Sequence, residues 1–349
     1  MTPAAETPML PRVPSRPSSP VTPPSQTSPP SQPSPPSSPS SPSSPSPADD
    51  EVTLTARVFE LPFDDGRPRF PTSLQVSIVT YRPDLRLLER CFRKLALAIA
   101  AARENGAVRT VALALIDNSG ERALAREAIR LAQARFTDAN VQMTFLYGHA
   151  NIGYGAAHNL VLHGSGADYH LVLNPDVELA PDALAVGVRW LAAHPDVGAV
   201  SPETFDGNGE RQEYACRRFP AVFDLFLRGF APRFVRAMFR GRLDRYEMRD
   251  VIDPDPEREI IDIPAMSGAC LLVRRSAIDA TGGFDPKFFL YFEDYDWTLR
   301  LNRITRTAYL PAMHVRHHGG GAARKGWRHI GWFIRSGHRF YRKHGWKWF

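Results

Sequence analysis

The stretch Val111-Ala112-Leu113-Ala114-Leu115-Ile116-Asp117-Asn118-Ser119-Gly120 decides the fold. It is a short apolar run, fit for a buried strand, that stops abruptly on turn-forming polar residues. The same grammar recurs on both sides of it. Upstream, residues 76–81 (VSIVTY) form a β-branched run that reads as a strand. Downstream, residues 141–147 read as a third strand, and residues 170–173 as a fourth that ends in Asn174-Pro175-Asp176. Residues 197–201 read as a fifth. Between the first two, Leu85, Leu88, Phe92, Leu95 and Ile99 recur at helical spacing until Asn105-Gly106 stops them. Further helices are expected over 122–135, 155–163 and 181–193, the last with Pro181 in its first turn. Alternating strands and helices predict an α/β fold, with a mainly parallel, Rossmann-like sheet covered by helices on both faces. Sheets of that kind bind ligands beyond the carboxyl ends of their strands. Both polar turns, 117–120 and 174–176, fall at that edge.

Composition sets the limits of the folded part. Residues 11–47 are almost entirely Ser and Pro, with too little apolar surface to offset the entropy of ordering, so a disordered arm is expected over residues 1–70. The rest is long enough to bury a core. The N-terminus has no basic start followed by an apolar stretch, and no run approaches the roughly 18 apolar residues that span a bilayer. Cys91, Cys216 and Cys270 are too scattered for a disulfide framework or a zinc site. A cytoplasmic location is the simple expectation. The net charge of +6 is unevenly placed. Residues 324–347 carry Lys and Arg, no acid, and interleaved aromatics, a pairing suited to an anionic surface, membrane or nucleic acid.

The second half is less regular. Residues 205–256 mix aromatics, arginines and prolines and read as an acceptor-side insertion. Residues 263–274 read as one strand containing Ser267-Gly268-Ala269, and Gly282-Gly283 as a turn. Glu293-Asp294-Tyr295-Asp296 then follows the aromatic run Phe288-Phe289-Leu290-Tyr291-Phe292.

These residues suggest chemistry. Asn174-Pro175-Asp176, at a strand end, can hold a hard divalent cation beside a diphosphate, or simply turn the chain. Acids set among rings suggest a desolvated pocket in which a carboxylate becomes a better base at neutral pH. The plainer account is an acidic helix start with Asp296 and Arg300 paired at i,i+4. His317-His318-Gly319 can offer one imidazole to a metal, since adjacent side chains diverge. Asn151-Ile152-Gly153-Tyr154-Gly155 is an incomplete phosphate-type glycine loop.

In this order the motifs resemble the inverting glycosyltransferases of family 2, which have the GT-A fold, and within them the bacterial rhamnosyltransferase-type members. The resemblance covers residues 76–322 as one catalytic domain (71–322 with its lead-in). It rests on Ser77-Ile78-Val79-Thr80-Tyr81, Asp117-Asn118-Ser119, Asn151-Ile152-Gly153 with Asn159, Asn174-Pro175-Asp176, Ser267-Gly268-Ala269 with Leu271-Leu272-Val273-Arg274, Gly283-Phe284-Asp285, and Phe292-Glu293-Asp294-Tyr295-Asp296. It implies that Thr80, Asp117 and Asn118 line the nucleotide pocket. Gly153 and Asn159 would close over the donor. Asp176 would be the last residue of the family's DxD motif and bind Mg²⁺ or Mn²⁺, with Asn174 in place of its first Asp. Asp294 would be the base, with Glu293 beside it. His317 would be the C-terminal metal ligand, His318 remaining an alternative, because the pattern His-x-x-Gly-x-small starts at His317 and ends at Ala322. The implied reaction transfers a sugar, L-rhamnose from TDP-rhamnose as the first expectation, to a glycan or lipid-linked acceptor in cell-surface polysaccharide (O-antigen type) synthesis. Residues 323–349 would then form either a membrane-surface helix at the inner face of the plasma membrane or an aromatic face packed on the domain.

Three other readings compete. A UDP-sugar-dependent transferase would use the same fold. A glycoside hydrolase needs two carboxylates facing each other across a bond, about 5–9.5 Å apart, whereas Glu293 and Asp294 are neighbours that point apart. A non-catalytic membrane or nucleic-acid adaptor with a decayed core should have lost one of Asp117, Asp176 and Asp294, and all three are present. No nucleic-acid partner is therefore expected.

Overall fold

The computed structural model describes residues 73–137, 139–212, 215–319 and 326–349. The expected arm, and Gly320 and Ala322 of the histidine–glycine pattern, lie outside the described residues.

Strands β1 (Ser73–Thr80), β2 (Thr110–Asp117), β3 (Gln142–Leu146) and β4 (Tyr169–Leu173) run parallel in the order β3-β2-β1-β4. Helices α1 (Leu85–Glu104), α2 (Arg122–Phe136) and α3 (Tyr154–Leu162) connect them. Helix α1 forms where the apolar spacing demands it and buries Leu88, Phe92, Leu95 and Ile99. Asp84 caps it by accepting the Arg86 and Leu87 N–H groups, a device worth about 1 kcal/mol. The register pairs Thr80 with Asp117, so both polar side chains stand at one level of the carboxyl edge.

The other half of the sheet is mixed. Strand β10 (Cys270–Arg274) runs antiparallel between β4 and β6 (Val197–Phe205). Strand β11 (Arg306–His317) continues parallel to β6, and β5 (Val177–Leu179) and β8 (Ile260–Ile261) pair antiparallel with β11. Two hydrophobic clusters cover the sheet. One gathers α1, α4 (Ala183–Ala193) and the inner faces of the strands, and the other centres on Trp297, Phe284 and Leu271. Beneath the parallel strands, Ser77 Oγ lies 2.7 Å from both His158 Nδ1 and His170 Nε2, all three buried.

One local expectation is corrected, and two strands were not expected. Residues 263–274 are not one strand. They divide into β9 (Ala265–Met266), which pairs with β7 (Cys216–Arg217), and β10, and the Ser267-Gly268-Ala269 turn between them bonds elsewhere. Strand β5 was hidden because it is three residues long and follows Asp176 directly. Strand β11 was hidden because Pro311 reads as a breaker; it falls where the pairing with β6 shifts register.

Residues 205–256 hold short helices: α5 (Val222–Phe230), α6 (Arg233–Met238), α7 (Arg240–Tyr246) and α8 (Arg249–Ile252). Helix α9 (Arg275–Thr281) leads to the Gly282-Gly283 turn, where both glycines take positive φ. Helix α10 (Glu293–Leu301) starts at Phe292, itself left-handed at φ 64°. Helix α11 (Trp327–His344) packs on the residues that precede α10, burying Phe340 and Tyr341 against Phe288 and Phe292. Asp296 fastens the two helices. Its carboxylate receives Arg300 Nε at 2.9 Å, Lys343 Nζ at 2.7 Å and His344 Nε2 at 2.8 Å.

Candidate active site

The carboxyl edge of β1 and β2 carries the first group of candidates. Asp117 Oδ1 accepts from the Thr80 and Ser119 hydroxyls, each at 2.8 Å, and Oδ2 from the Ser119 N–H at 3.1 Å. Asn118 donates from its backbone to Thr80 O and from its amide to Gly153 O at 3.0 Å. That leaves Asn118 Oδ1 buried with no partner among the described residues. Asn174 Oδ1 is in the same condition. Buried acceptors without donors are costly, and a ligand commonly satisfies them.

Gly153 is required where it stands. Its φ is +94°, and a Cβ there would lie 2.5 Å from Phe289 O. Tyr154 N donates to the same carbonyl at 3.1 Å, so the glycine loop is pressed onto the aromatic run that precedes α10. Asn159, the other residue implied to close over the donor, is held by the chain itself. Both ends of its amide are taken by the Phe284 backbone, at 2.7 and 3.0 Å, so it fixes the Gly283 turn.

Asp176 and His317 come together from opposite ends of the motif order, Asp176 Oδ1 lying 3.4 Å from His317 Nε2. The imidazole is held from behind. Gln212 donates its amide N–H to His317 O at 2.8 Å, which turns its amide oxygen toward His317 Nδ1 at 3.2 Å. Nδ1 can donate to that oxygen, which would leave Nε2 to face Asp176 and a metal ion, the arrangement usual for a metal-bound histidine. Gly319 touches both: a Cβ there would overlap Asp176 Oδ2 and His317 Nε2. His318 is engaged elsewhere, at 2.6 Å from Glu178, which also pairs with Arg90. One carboxylate and one imidazole suit a divalent cation that keeps water and phosphate oxygens as its other ligands. No set of three or more His, Cys, Asp or Glu gathers as a closed metal site among the described residues. Gln212 was not foreseen; it lies 105 residues from His317, and no local pattern marks it.

Asp294 and Glu293 open α10. Asp294 Oδ2 accepts Gly268 N–H at 3.0 Å and Oδ1 accepts Tyr295 N–H at 2.9 Å. Glu293 is buried, and its Oε2 has no partner among the described residues. Burial, then the charge of Asp294, pushes Glu293 well above the usual glutamate range. Burial also raises Asp294, while its two N–H donors oppose the rise. Within the pair, Asp294 is thus equipped to hold the negative charge and Glu293 to stay protonated. The Ser267-Gly268-Ala269 turn joins the two ends of the site. Ala269 O accepts Asn174 N–H at 2.8 Å, Gly268 N–H reaches Asp294, and Tyr154 OH donates to Gly268 O at 2.7 Å.

The chain is 30% identical over 263 residues to N-acetylglucosaminyl-diphospho-decaprenol L-rhamnosyltransferase of Mycobacterium tuberculosis, covering 70% of this chain and 76% of that protein. It is 28% identical over 152 residues to the rhamnosyltransferase WbbL of Escherichia coli, covering 43% of this chain and 52% of that one. Among solved structures it superposes on GalNAc-T7 with UDP, GalNAc and Mn²⁺ at a TM-score of 0.51 and 14% identity, covering 80% of this chain and 48% of that chain. No family model matches the chain. Fold and relatives define an enzyme, a glycosyltransferase with the GT-A fold. The chain belongs to the rhamnosyltransferase-like glycosyltransferases of family 2.

Proposed function

We propose that this enzyme moves L-rhamnose from TDP-rhamnose to a hydroxyl of a lipid-linked glycan, inverting the anomeric centre. The observation that carries the reading is the 267–269 turn, which spans from the Asn174-Pro175-Asp176 corner to Asp294. It links the corner proposed to hold the diphosphate to Asp294, the proposed base. Asp294 takes the proton of the acceptor hydroxyl as that oxygen attacks the anomeric carbon, and the nucleoside diphosphate leaves from the opposite face. Glu293, kept protonated by burial, leaves Asp294 as the one anion of the pair. Asp176 and His317 would hold Mg²⁺ or Mn²⁺, which when bound supplies positive charge to the departing diphosphate. Thr80, Asp117, Asn118 and Asn174 would face the nucleotide, with the free acceptor atoms of Asn118 and Asn174 awaiting donors.

The sugar and the lipid-linked acceptor are inferred from the relatives' activities, and a UDP-sugar donor is the alternative. The acceptor glycan would approach from the side of residues 205–256, where a cavity of about 380 Å³ is lined by Arg211, Gln212, Arg249 and Tyr309 among others. An acceptor anchored in lipid also requires the enzyme to work at the bilayer surface, which residues 324–349 were expected to reach.

The test is a panel of TDP- and UDP-sugars, with and without Mn²⁺, read by melting temperature. A donor at 100 times its Kd should stabilise by about 2.7 kcal/mol. TDP-rhamnose should give a metal-dependent shift that Asp176→Ala abolishes. A shift with a UDP-sugar alone would move the assignment to that donor.

A further inference from the structure

The C-terminal segment does not present its aromatics to solvent as a block. Phe333, Phe340 and Tyr341 pack inward on the aromatic cluster around Phe288 and Phe292. What remains exposed there is Trp327, Ile334 and the end of the chain, including Trp348 and Phe349. A second group of exposed apolar side chains lies elsewhere in the sequence. On α5 and α6, Phe226 is 54% exposed, Phe230 59%, Phe234 70% and Met238 77%. The other exposed large apolar residues between 73 and 319, such as Tyr81, Leu97, Leu160 and Ile304, are scattered singly through the sequence and need no explanation.

The two groups are joined. Val222 N donates to Lys347 O at 2.8 Å and Phe223 N to Trp348 O at 3.2 Å, so the end of the chain is tied to the start of α5. The Phe223 ring meets Phe349 at 5.6 Å and Phe239 at 5.3 Å between centroids. Phe226 and Phe230 stack at 6.1 Å. Between Asp224 and Asp244 the chain carries five arginines and no acid; Arg228 pairs with Glu247, Arg240 with Asp244 and Arg242 with Asp224, while Arg233 and Arg236 lie on α6 beside Phe234 and Met238. The inner side of α5 rests, through Val222 and Leu225, on the cluster that contains Phe292, the residue from which α10 and Asp294 start.

We propose that α5, α6 and residues 346–349 form one interfacial surface that seats this enzyme on an anionic lipid bilayer. Exposed Phe and Met, with Arg233 and Arg236 on the same helix, match an apolar boundary rimmed by negative headgroups. A second copy fits less well, because a two-fold contact through this patch would bring its arginines together. The proposal rests on the lipid-linked acceptor for its purpose but not for its geometry. It extends the expected contact from residues 324–349 to a pair of helices that the tail only completes.

The experiment is sedimentation of the full chain with vesicles of phosphatidylcholine containing 30% phosphatidylglycerol, and with pure phosphatidylcholine vesicles. The wild type should bind the anionic vesicles, more weakly the neutral ones, and lose binding as salt rises. The variant Phe226→Ser/Phe230→Ser/Phe234→Ser/Met238→Ser alters only exposed side chains. It should keep its melting temperature and its donor-induced shift while binding anionic vesicles at least tenfold more weakly. Unchanged vesicle binding in this variant, or none in the wild type, overturns the proposal. So does a wild-type dimer that the variant converts to monomer without altering vesicle binding. A wild type that binds vesicles but shows no donor shift would remove the donor assignment and leave the surface standing.

Discussion

Two sides of the first turn of α10 carry acids in opposite states. Asp296 faces α11 and is surrounded by Arg300, Lys343 and His344, which hold its carboxyl down to about 2. Glu293, on the same turn, has an oxygen with no partner among the described residues and is pushed well up. Both feel the same helix dipole, which favours negative charge at this end by less than about 1 kcal/mol in most settings. The dipole therefore does not decide the outcome; the partners do. One helix start serves as a fastening on one side and carries the proposed proton-handling pair on the other.

The strongest way to break this comparison is to neutralise the side assigned to chemistry. Asp294→Asn should lower kcat by about 10²- to 10⁴-fold, the usual span for a lost general base. It should leave the donor-induced melting shift intact, since Asp294 is not assigned to the donor. Full activity in this variant would remove Asp294 from the reaction. Next in size is the fastening. Asp296→Asn leaves buried His344 and its cationic neighbours without their shared carboxylate, and should destabilise by about 3 kcal/mol in chemical unfolding. Because the folded carboxyl lies below its unfolded value, its stabilisation is present above about pH 4 and is lost as pH falls toward 2. The variant and wild type should converge in that window. The smallest effect belongs to Glu293→Gln. The folded carboxyl lies above its unfolded value, so wild-type stability is full in acid and declines as pH rises. The amide removes that decline. It should stabilise by about 1 kcal/mol at pH 8 and by little at pH 4, with activity kept, because the amide is neutral like the protonated acid it replaces. A variant that is less stable than wild type at pH 8 would show that Glu293 is not under strain there.

The same contrast explains what could be read in advance. The strands β1 to β4 and β6, and the helices between them, were legible because each apolar run is local and ends on its own turn residues, as 111–120 does. The Asp296–Arg300 pair was legible for the same reason, being four residues apart. The partners that decide the site are not local. Lys343 and His344 reach Asp296 from the far end of α11, Gln212 reaches His317 from the insertion, and Gly268 reaches Asp294 across 26 residues. Asn159 fits the family's pattern, yet the Phe284 backbone that takes up its amide lies 125 residues away. Spacing favoured His317 over His318, but which acid each ring meets, Asp176 or Glu178, could not be read from it. The exposed ridge on α5 and α6 was masked by prolines and arginines that make residues 205–256 look irregular.

The tie between Asp296 and His344 has a consequence for synthesis. The two are 48 residues apart, with the aromatic packing of α11 between them. As the chain leaves the ribosome, α10 is made before the helix that neutralises its outer face and covers Phe288 and Phe292. Long-range contacts of this kind form late. A chain made only as far as β11 therefore has the strands of its sheet but neither the Lys343 and His344 that hold Asp296 nor the rings that cover Phe288 and Phe292.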